Sequence, residues 1–238
     1  MQKRKLYWAF VLTALFLACG LTALGAAVKH EPSFYRNSQV PPSDARKELA
    51  STFFRNFSQM LADIKGKQLA WGCDATEVQM NSFFEEIFDQ MGETEGLRKL
   101  GISAANVVLE EERVRLAFRY GTGAFSTIIS YDLKIWLVPK EPNVIAVEIL
   151  RARAGALPIS SRTILQQLSD YATKQNYKVT LYRHEGHSVA LIDLQGDQQA
   201  TGVMTLMKTG TNSLSIRGRT LENVLPPLVL HNNAKKSP

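Results

Sequence analysis

Apolar residues recur along the chain with two different periods, which divide it into a helical part and an extended part. Between residues 43 and 91 they are spaced three and four positions apart, and this spacing predicts two helices that each bury one face. Ser43 or Asp44 can cap the first of these helices, and Asp74 and Thr76 precede the second. Residues 43–91 are therefore expected to form two helices, with a short extended piece at 68–73 between them.

From residue 114 onward, apolar and polar residues alternate, which is typical of strands with one buried face and one wet face. Three such strands, at 114–120, 125–138 and 144–153, are joined by short turns and are expected to pair as an antiparallel meander. The second strand would be unusually long, since its 14 residues would span roughly 46 Å.

The last part of the domain is predicted to contain one more helix and two hairpins. Ser160 or Ser161 caps the helix, and the hairpins cover 177–194 and 201–219. The whole pattern predicts an α+β fold, in which about three helices cover one face of an antiparallel sheet of long meander strands and hairpins.

The N-terminal 28 residues are expected to be a signal anchor that forms a transmembrane helix. Residues 6–28 are 23 positions without a charge, and about 20 such residues are enough for a helix to cross the hydrocarbon core. Lys3, Arg4 and Lys5 precede this segment, and the positive-inside bias keeps them in the cytoplasm and exports the rest of the chain.

Two other interpretations of this segment stay open. Residues 23–25 have small side chains at the two positions that a signal peptidase requires. Residues 17–20 are similar to a lipobox, in which Cys19 would be acylated after cleavage. All three interpretations place the domain on the extracytoplasmic side of the cell membrane, either periplasmic or external.

The expected organisation has four parts. An anchor at 1–28 leads into a proline-rich juxtamembrane linker at 29–42, the extracytoplasmic domain occupies 43–222, and a flexible basic tail follows at 223–238. Cys73 is the only cysteine outside the anchor, so a disulfide within the domain is excluded and a buried thiol is expected.

The net charge of +6 does not by itself indicate a nucleic-acid partner. Three basic residues precede the apolar segment and two lie in the last four residues, so the rest of the chain carries only +1. Nucleic-acid binding requires a clustered basic face that neutralises several phosphates, and no such cluster is visible in the sequence.

Catalytic and metal-binding motifs are not assembled in this sequence. His184 and His187 are three positions apart at a predicted hairpin tip, whereas a helical zinc site places its histidines four apart. Residues 208–210 match only one of the three signatures of penicillin-binding proteins. We therefore expect no catalytic residues, no metal and no cofactor.

Two short segments carry a resemblance to a known family. They are Thr76-Glu77-Val78-Gln79-Met80-Asn81 at the start of the second helix and Gly155-Ala156-Leu157-Pro158 before the third. With the order of the strands over residues 68–175, they resemble the YpmS-like family of uncharacterised bacterial membrane-anchored proteins and, more distantly, tubular lipid-binding modules. The resemblance implies a long curved sheet and a covering helix that enclose an apolar groove for an acyl chain.

Apolar residues of the long strand and of the facing helices would line such a groove: Ile129, Tyr131, Leu133, Ile135, Phe83 and Leu168. The same stripe of residues is equally expected in an ordinary core beneath the helices. Trp136 lies on the opposite face of the strand and is the candidate residue for binding a protein partner.

These observations lead to one expected function and two alternatives. We expect a non-catalytic, single-pass membrane protein of the cell envelope that binds a lipid or another amphiphile. The first alternative is a structural or assembly protein that docks other envelope proteins through an exposed sheet face. The second is a hydrolase, which would require a polar cleft and a titratable group with a shifted pKa.

Overall fold

The computed structural model describes residues 2–86, 101–139, 141–174, 177–194 and 202–221. The helices in these ranges are α1 (Gln2–Lys29), α2 (Ser33–Asn37), α3 (Asp44–Lys65), α4 (Glu77–Glu86) and α5 (Ser161–Lys174). The strands are β1 (Ala70–Thr76), β2 (Ile102–Glu110), β3 (Arg113–Tyr120), β4 (Thr127–Leu137), β5 (Val144–Ala154), β6 (Leu157–Pro158), β7 (Lys178–His184), β8 (His187–Asp193), β9 (Gly202–Gly210) and β10 (Ser213–Thr220).

The described strands form two antiparallel sheets. The larger has the order β2-β3-β4-β5-β8-β7, with β6 paired to β5, and the smaller has the order β1-β10-β9. The predicted α+β class is confirmed, and β3, β4 and β5 form the meander at the centre of the larger sheet. The sequence pattern predicted one sheet, whereas the pairing of β1 with β10 builds a second one.

The long central strand is shorter than its sequence pattern predicts. β4 contains 11 residues, Thr127–Leu137, because a short 3-10 turn at Gly123–Phe125 precedes it. The strand β2 was not predicted, and it pairs with β3 along the edge of the larger sheet.

Local capping explains where α3 and α4 begin. The Ser43 hydroxyl accepts a hydrogen bond from the backbone N–H of Arg46 at 3.1 Å. At α4, the Thr76 hydroxyl accepts from the N–H of Gln79 at 3.3 Å, and the Gln79 side chain accepts from the N–H of Thr76 at 2.9 Å. This reciprocal pair is a capping box, which satisfies two donors that a helix start would otherwise leave free.

The helix α4 also covers the free edge of β2. The Asn81 amide accepts from the N–H of Val107 at 2.7 Å and donates to the carbonyl of the same residue at 2.8 Å. One turn earlier, the Glu77 carboxylate accepts from the N–H of Leu109 at 2.8 Å. Residues four apart on a helix and residues two apart on a strand are separated by similar distances. The side chains of α4 can therefore bond to the exposed backbone groups of β2, as a further strand would.

Residues 29–42, predicted as a linker, are a packed part of the fold. They contain α2, whose Tyr35 is fully buried against Ala117 of β3 and Ile128 of β4. The Tyr35 hydroxyl donates a hydrogen bond to the carbonyl oxygen of Ala104 at 3.0 Å. Burial raises the pKa of Tyr35 above its ordinary value. The segment therefore holds the end of α1 close to the larger sheet.

Two sequence predictions, the transmembrane helix and the basic tail, concern residues that the structure describes only in part or not at all. In α1 the described side chains are those of Thr13 and residues 15–29, and among the described residues we find no helix both long enough and apolar enough to cross a membrane. The predicted basic tail at 223–238 lies outside the described residues.

Candidate functional site

Three of the four predicted groove residues of β4 pack against core clusters. Tyr131 and Leu133 contact the cluster that α5 covers through Leu165, and Leu133 and Ile135 contact the cluster around Leu109. Burial raises the pKa of Tyr131 to about 12. Core packing therefore accounts for these three residues without a ligand.

The other predicted groove residues lie apart from one another. Phe83 is buried in an aromatic cluster between α3 and α4, with its ring 5.1 Å from Phe53 and 6.2 Å from Phe54. Ile129 is half-buried on β4. Leu168 belongs to α5, and its side chain lies outside the described part of the structure. The structure therefore does not bring the six predicted residues together around one cavity in its described part.

Trp136 is half-buried near the far end of β4, where its cross-strand partner is Ala146. It shares the polar face of the strand with Asp132 and Lys134, as the alternation of side chains predicts. Lys134 forms an ion pair with Glu112 at 3.3 Å on this face.

The C-terminal end of α1 is joined to the larger sheet by side-chain and backbone bonds. The N–H of Ala156 donates to the carbonyl of Ala27 at 2.7 Å, and the Thr127 hydroxyl donates to the carbonyl of Val28 at 2.5 Å. The Lys29 ammonium donates to the carbonyl of Ser126, also at 2.5 Å. Carbonyls in the last turn of a helix lack partners within the helix, so the sheet supplies them here.

A cleft of about 520 Å³ opens beside this junction, on the polar face of the larger sheet. His30 and Gly155 line it next to α1, and the Phe34 ring of α2 lines it as well. Its sheet side is formed by polar residues of β3, β4 and β5: Arg113, Arg115, Ser130, Asp132, Arg151 and Arg153. We call this site the arginine cleft.

The register of the strands explains why these residues converge. Asp132 of β4 lies directly opposite Arg115 of β3 and Arg151 of β5, and Ser130 lies opposite Arg153. Neighbouring strands are about 4.8 Å apart, so two arginines flank the central strand within reach of one small ligand.

Only part of this positive charge is balanced by nearby carboxylates. Arg115 lies 3.0 Å from Glu110 and 3.8 Å from Asp132, and its guanidinium stands 5.7 Å from the centre of the Phe34 ring. The Arg115 Nε atom is buried without a hydrogen-bond partner among the described residues.

The remaining three arginines, Arg113, Arg151 and Arg153, have no side-chain partner in the described ranges of the chain. His187 lines the cleft as well, and its Nδ1 atom is 2.7 Å from the Glu148 carboxylate. Four guanidinium groups thus face one lining carboxylate, that of Asp132. Guanidinium groups match the planar geometry of carboxylates and phosphates, so this arrangement can bind an anion.

This cluster was not predicted, because its arginines come from two separate segments and form no run of basic residues in the sequence. The available signal was the pair of Arg-x-Arg spacings, at 113–115 and 151–153. Residues two apart on a strand point to the same face, and the meander then places the two pairs on either side of β4.

His184, His187 and Cys73 do not form a metal-binding cluster within the described residues. His184 and His187 face each other across the β7–β8 turn, and within the described ranges no three His, Cys, Asp or Glu side chains are grouped to hold a metal ion. Cys73 is buried, and this burial raises the pKa of its thiol.

Comparison of the chain with models of known families, with curated proteins and with solved structures finds no match. The resemblance to the YpmS-like family therefore stays a prediction. The fold and the site define an α+β protein of two antiparallel sheets with an arginine-lined cleft at the end of its N-terminal helix.

Proposed function

We propose that this protein is a single-pass, membrane-anchored binding module of the cell envelope. In this proposal α1 spans the cytoplasmic membrane, the α+β domain lies on its extracytoplasmic side, and the arginine cleft binds an anionic ligand without catalysing a reaction. The observation that carries the proposal is the position of the cleft directly beside the end of α1.

The composition and exposure of α1 support the anchor. Residues 6–28 contain no charged side chain, and a helix of this length matches the hydrocarbon thickness of a bilayer. Five large apolar side chains of α1 are 51% to 80% exposed: Leu15, Phe16, Leu17, Leu21 and Leu24. Apolar surface of this size is stable when lipid covers it.

The junction supports a fixed placement of the domain at the membrane surface. Ala27 and Val28, the last residues of the uncharged segment, are hydrogen-bonded to Ala156 and Thr127 of the domain. With α1 in the bilayer, these bonds place the start of the larger sheet at the level of the lipid headgroups. Residues 29–42 reinforce the placement through the buried Tyr35.

Binding fits the cleft better than catalysis does. General acid–base chemistry needs a carboxylate, histidine or similar group whose environment tunes its pKa. The cleft contains His30, His187 and Asp132, but four guanidinium groups dominate its lining, and such groups serve to bind and orient anions.

Membrane fractionation of the full chain tests the anchor. We expect the chain to stay in the pellet after alkaline carbonate extraction, and a C-terminal alkaline phosphatase fusion to be active. The double variant Leu17→Arg/Leu21→Arg should move into the supernatant, because each central charge costs about 3 kcal/mol of insertion free energy.

The matched control is Leu69→Arg/Leu206→Arg, which adds the same charges at exposed positions of the domain. This variant should stay in the pellet. Extraction of the unaltered chain into the supernatant, or an inactive phosphatase fusion, would contradict the proposal. The mass of the mature chain then separates a retained anchor from cleavage after Gly25 and from acylation at Cys19.

A further inference from the structure

The arginine cleft has the chemistry of a phosphate site, and its position indicates the source of the phosphate. We infer that it binds a phosphate group of the kind that a phospholipid headgroup presents at the membrane surface. This inference rests on the proposed membrane-anchored function, since it names the ligand of the same cleft.

The number and geometry of the arginines favour phosphate. Arg151 and Arg153 are exposed on one strand, and Arg115 faces Arg151 across Asp132. Phosphate offers several oxygens in different directions, so it can accept from guanidinium groups on both sides of β4 at once. A single carboxylate presents only two oxygens and leaves the other arginines unused.

The lining carboxylate does not cancel this attraction. Asp132 lies within 3.8 Å of Arg115, which also contacts Glu110, so these three groups together carry one net negative charge, against the three positive charges of the other arginines. Arg113, Arg151 and Arg153 remain without a carboxylate partner among the described residues. The Ser130 side chain lies opposite Arg153 and provides a hydroxyl donor on the central strand.

The place of the cleft in the chain favours a lipid headgroup over a distant ligand. His30 and Pro32 line the cleft one and three positions after α1 ends at Lys29. Gly155 also lines it, and a Cβ atom at that position would meet the carbonyl oxygens of Ala27 and Val28. The headgroup layer is several ångströms thick, so residues this close to the end of a spanning helix lie within it.

The test uses the full chain in two arms, because a headgroup and a soluble phosphate share the same chemistry. In the first arm, the chain is purified in mixed micelles of equal amounts of phosphatidylglycerol and diglucosyl diacylglycerol, a bilayer lipid without phosphate, and the retained lipids are quantified by mass spectrometry. In the second arm, binding of sn-glycerol 3-phosphate and of acetate is measured by calorimetry, with the chain in nanodiscs of the same phosphate-free glycolipid.

The variant Arg151→Gln/Arg153→Gln removes the two exposed guanidinium groups, and Arg55→Gln/Arg219→Gln removes two exposed arginines outside the cleft. We expect the unaltered chain to retain phosphatidylglycerol selectively. The affinity for this lipid should fall at least about tenfold in the cleft variant and stay unchanged in the control variant. Binding of glycerol phosphate over acetate without lipid selectivity would also support the phosphate site and would assign it to a soluble ligand.

The inference is overturned if neither probe binds, if acetate binds as well as glycerol phosphate, or if both double variants reduce binding equally. Failure of the proposed anchor has a separate signature. In that case the chain does not co-elute with nanodiscs, whereas a chain that co-elutes and ignores both phosphate probes contradicts only the phosphate site.

Discussion

The backbone N–H of Ala156 donates a hydrogen bond to the carbonyl oxygen of Ala27 at 2.7 Å. These residues are far apart in the chain, and the bond joins the last turn of α1 to the loop between β5 and β6. The same carbonyl accepts a longer bond from the N–H of His30 at 3.4 Å, so Ala156 adds a second and shorter donor at the end of the helix. The arginine cleft begins at this junction, so the bond fixes the cleft relative to the helix.

Replacing Gly155 by alanine should break this junction. Gly155 has a φ of +61°, and a Cβ atom there would meet backbone carbonyls of Ala27 and Val28, which cannot move without unseating α1. We expect trypsin to cleave the full chain faster at Lys29, together with a loss of about 2–4 kcal/mol in the free energy of unfolding.

The control for this prediction is Gly123→Ala, which has a similar φ of +54° but open space around its Cβ position. It carries the cost of left-handed backbone, about 1–2 kcal/mol, without the clash. Equal effects of the two variants would show that Gly155 matters only for its backbone conformation and not for the junction.

Removing the Asn81 side chain should uncover the edge of β2. Asn81→Ala leaves the N–H and carbonyl of Val107 without partners in a buried place, which costs about 2–4 kcal/mol of stability. The exposed Asn56→Ala variant on α3 should change stability by less than about 0.5 kcal/mol. Chemical unfolding of both variants in mild detergent provides the measurement, and similar values would contradict the role of Asn81.

Because partial burial raises the pKa of the Tyr131 phenol, we expect the protein to lose stability at alkaline pH. Its pKa rises to about 12 in the folded state, whereas an exposed tyrosine ionises near pH 10, so the unfolded chain loses its proton first. Stability therefore falls from pH 10 up to pH 12, by about 1.4 kcal/mol at pH 11. In Tyr131→Phe the decrease should be smaller by this amount, since only the contribution of Tyr131 is removed.

The comparison is made on unfolding free energies of the unaltered chain and of Tyr131→Phe at pH 9 and pH 11. Tyr35 also has a raised pKa from burial, but both proteins retain it, so its contribution cancels. An identical decrease in the two proteins would mean that the Tyr131 phenol is not shielded from water.

Much of the strand pattern is predictable locally, because alternation and turn residues act over a few positions. The meander strands follow from alternation such as that of β4, and so do the β7–β8 hairpin of the larger sheet and the β9–β10 hairpin of the smaller one. The start of α3 follows from Ser43. The pairing of β1 with the β9–β10 hairpin is not predictable in this way, since Cys73 of β1 pairs with Ile216 of β10 near the other end of the chain.

The candidate site, too, is only partly predictable from the sequence. Each Arg-x-Arg pair is visible in the sequence, but their convergence depends on the register that sets Arg115 and Arg151 on either side of Asp132. Likewise, the apolar alternation of β4 describes a buried face and does not tell a groove from a core. In the structure Leu133 is partly buried and packs against two core clusters.

The central claim is that the arginine cleft lies at the surface of the membrane that holds α1. The test places a spin label at Arg153→Cys or at Glu141→Cys in the reconstituted full chain, in which Cys19 and Cys73 are replaced by alanine. The accessibility of each label to oxygen and to a water-soluble nickel chelate is then measured. Glu141 lies in the turn beyond β4, whose 11 residues place it about 36 Å from the junction.

We predict that the label at 153 is shielded from the nickel chelate and reports the headgroup region, while the label at 141 is freely accessible from water. Equal accessibility at both positions, at the level of bulk water, would contradict the account.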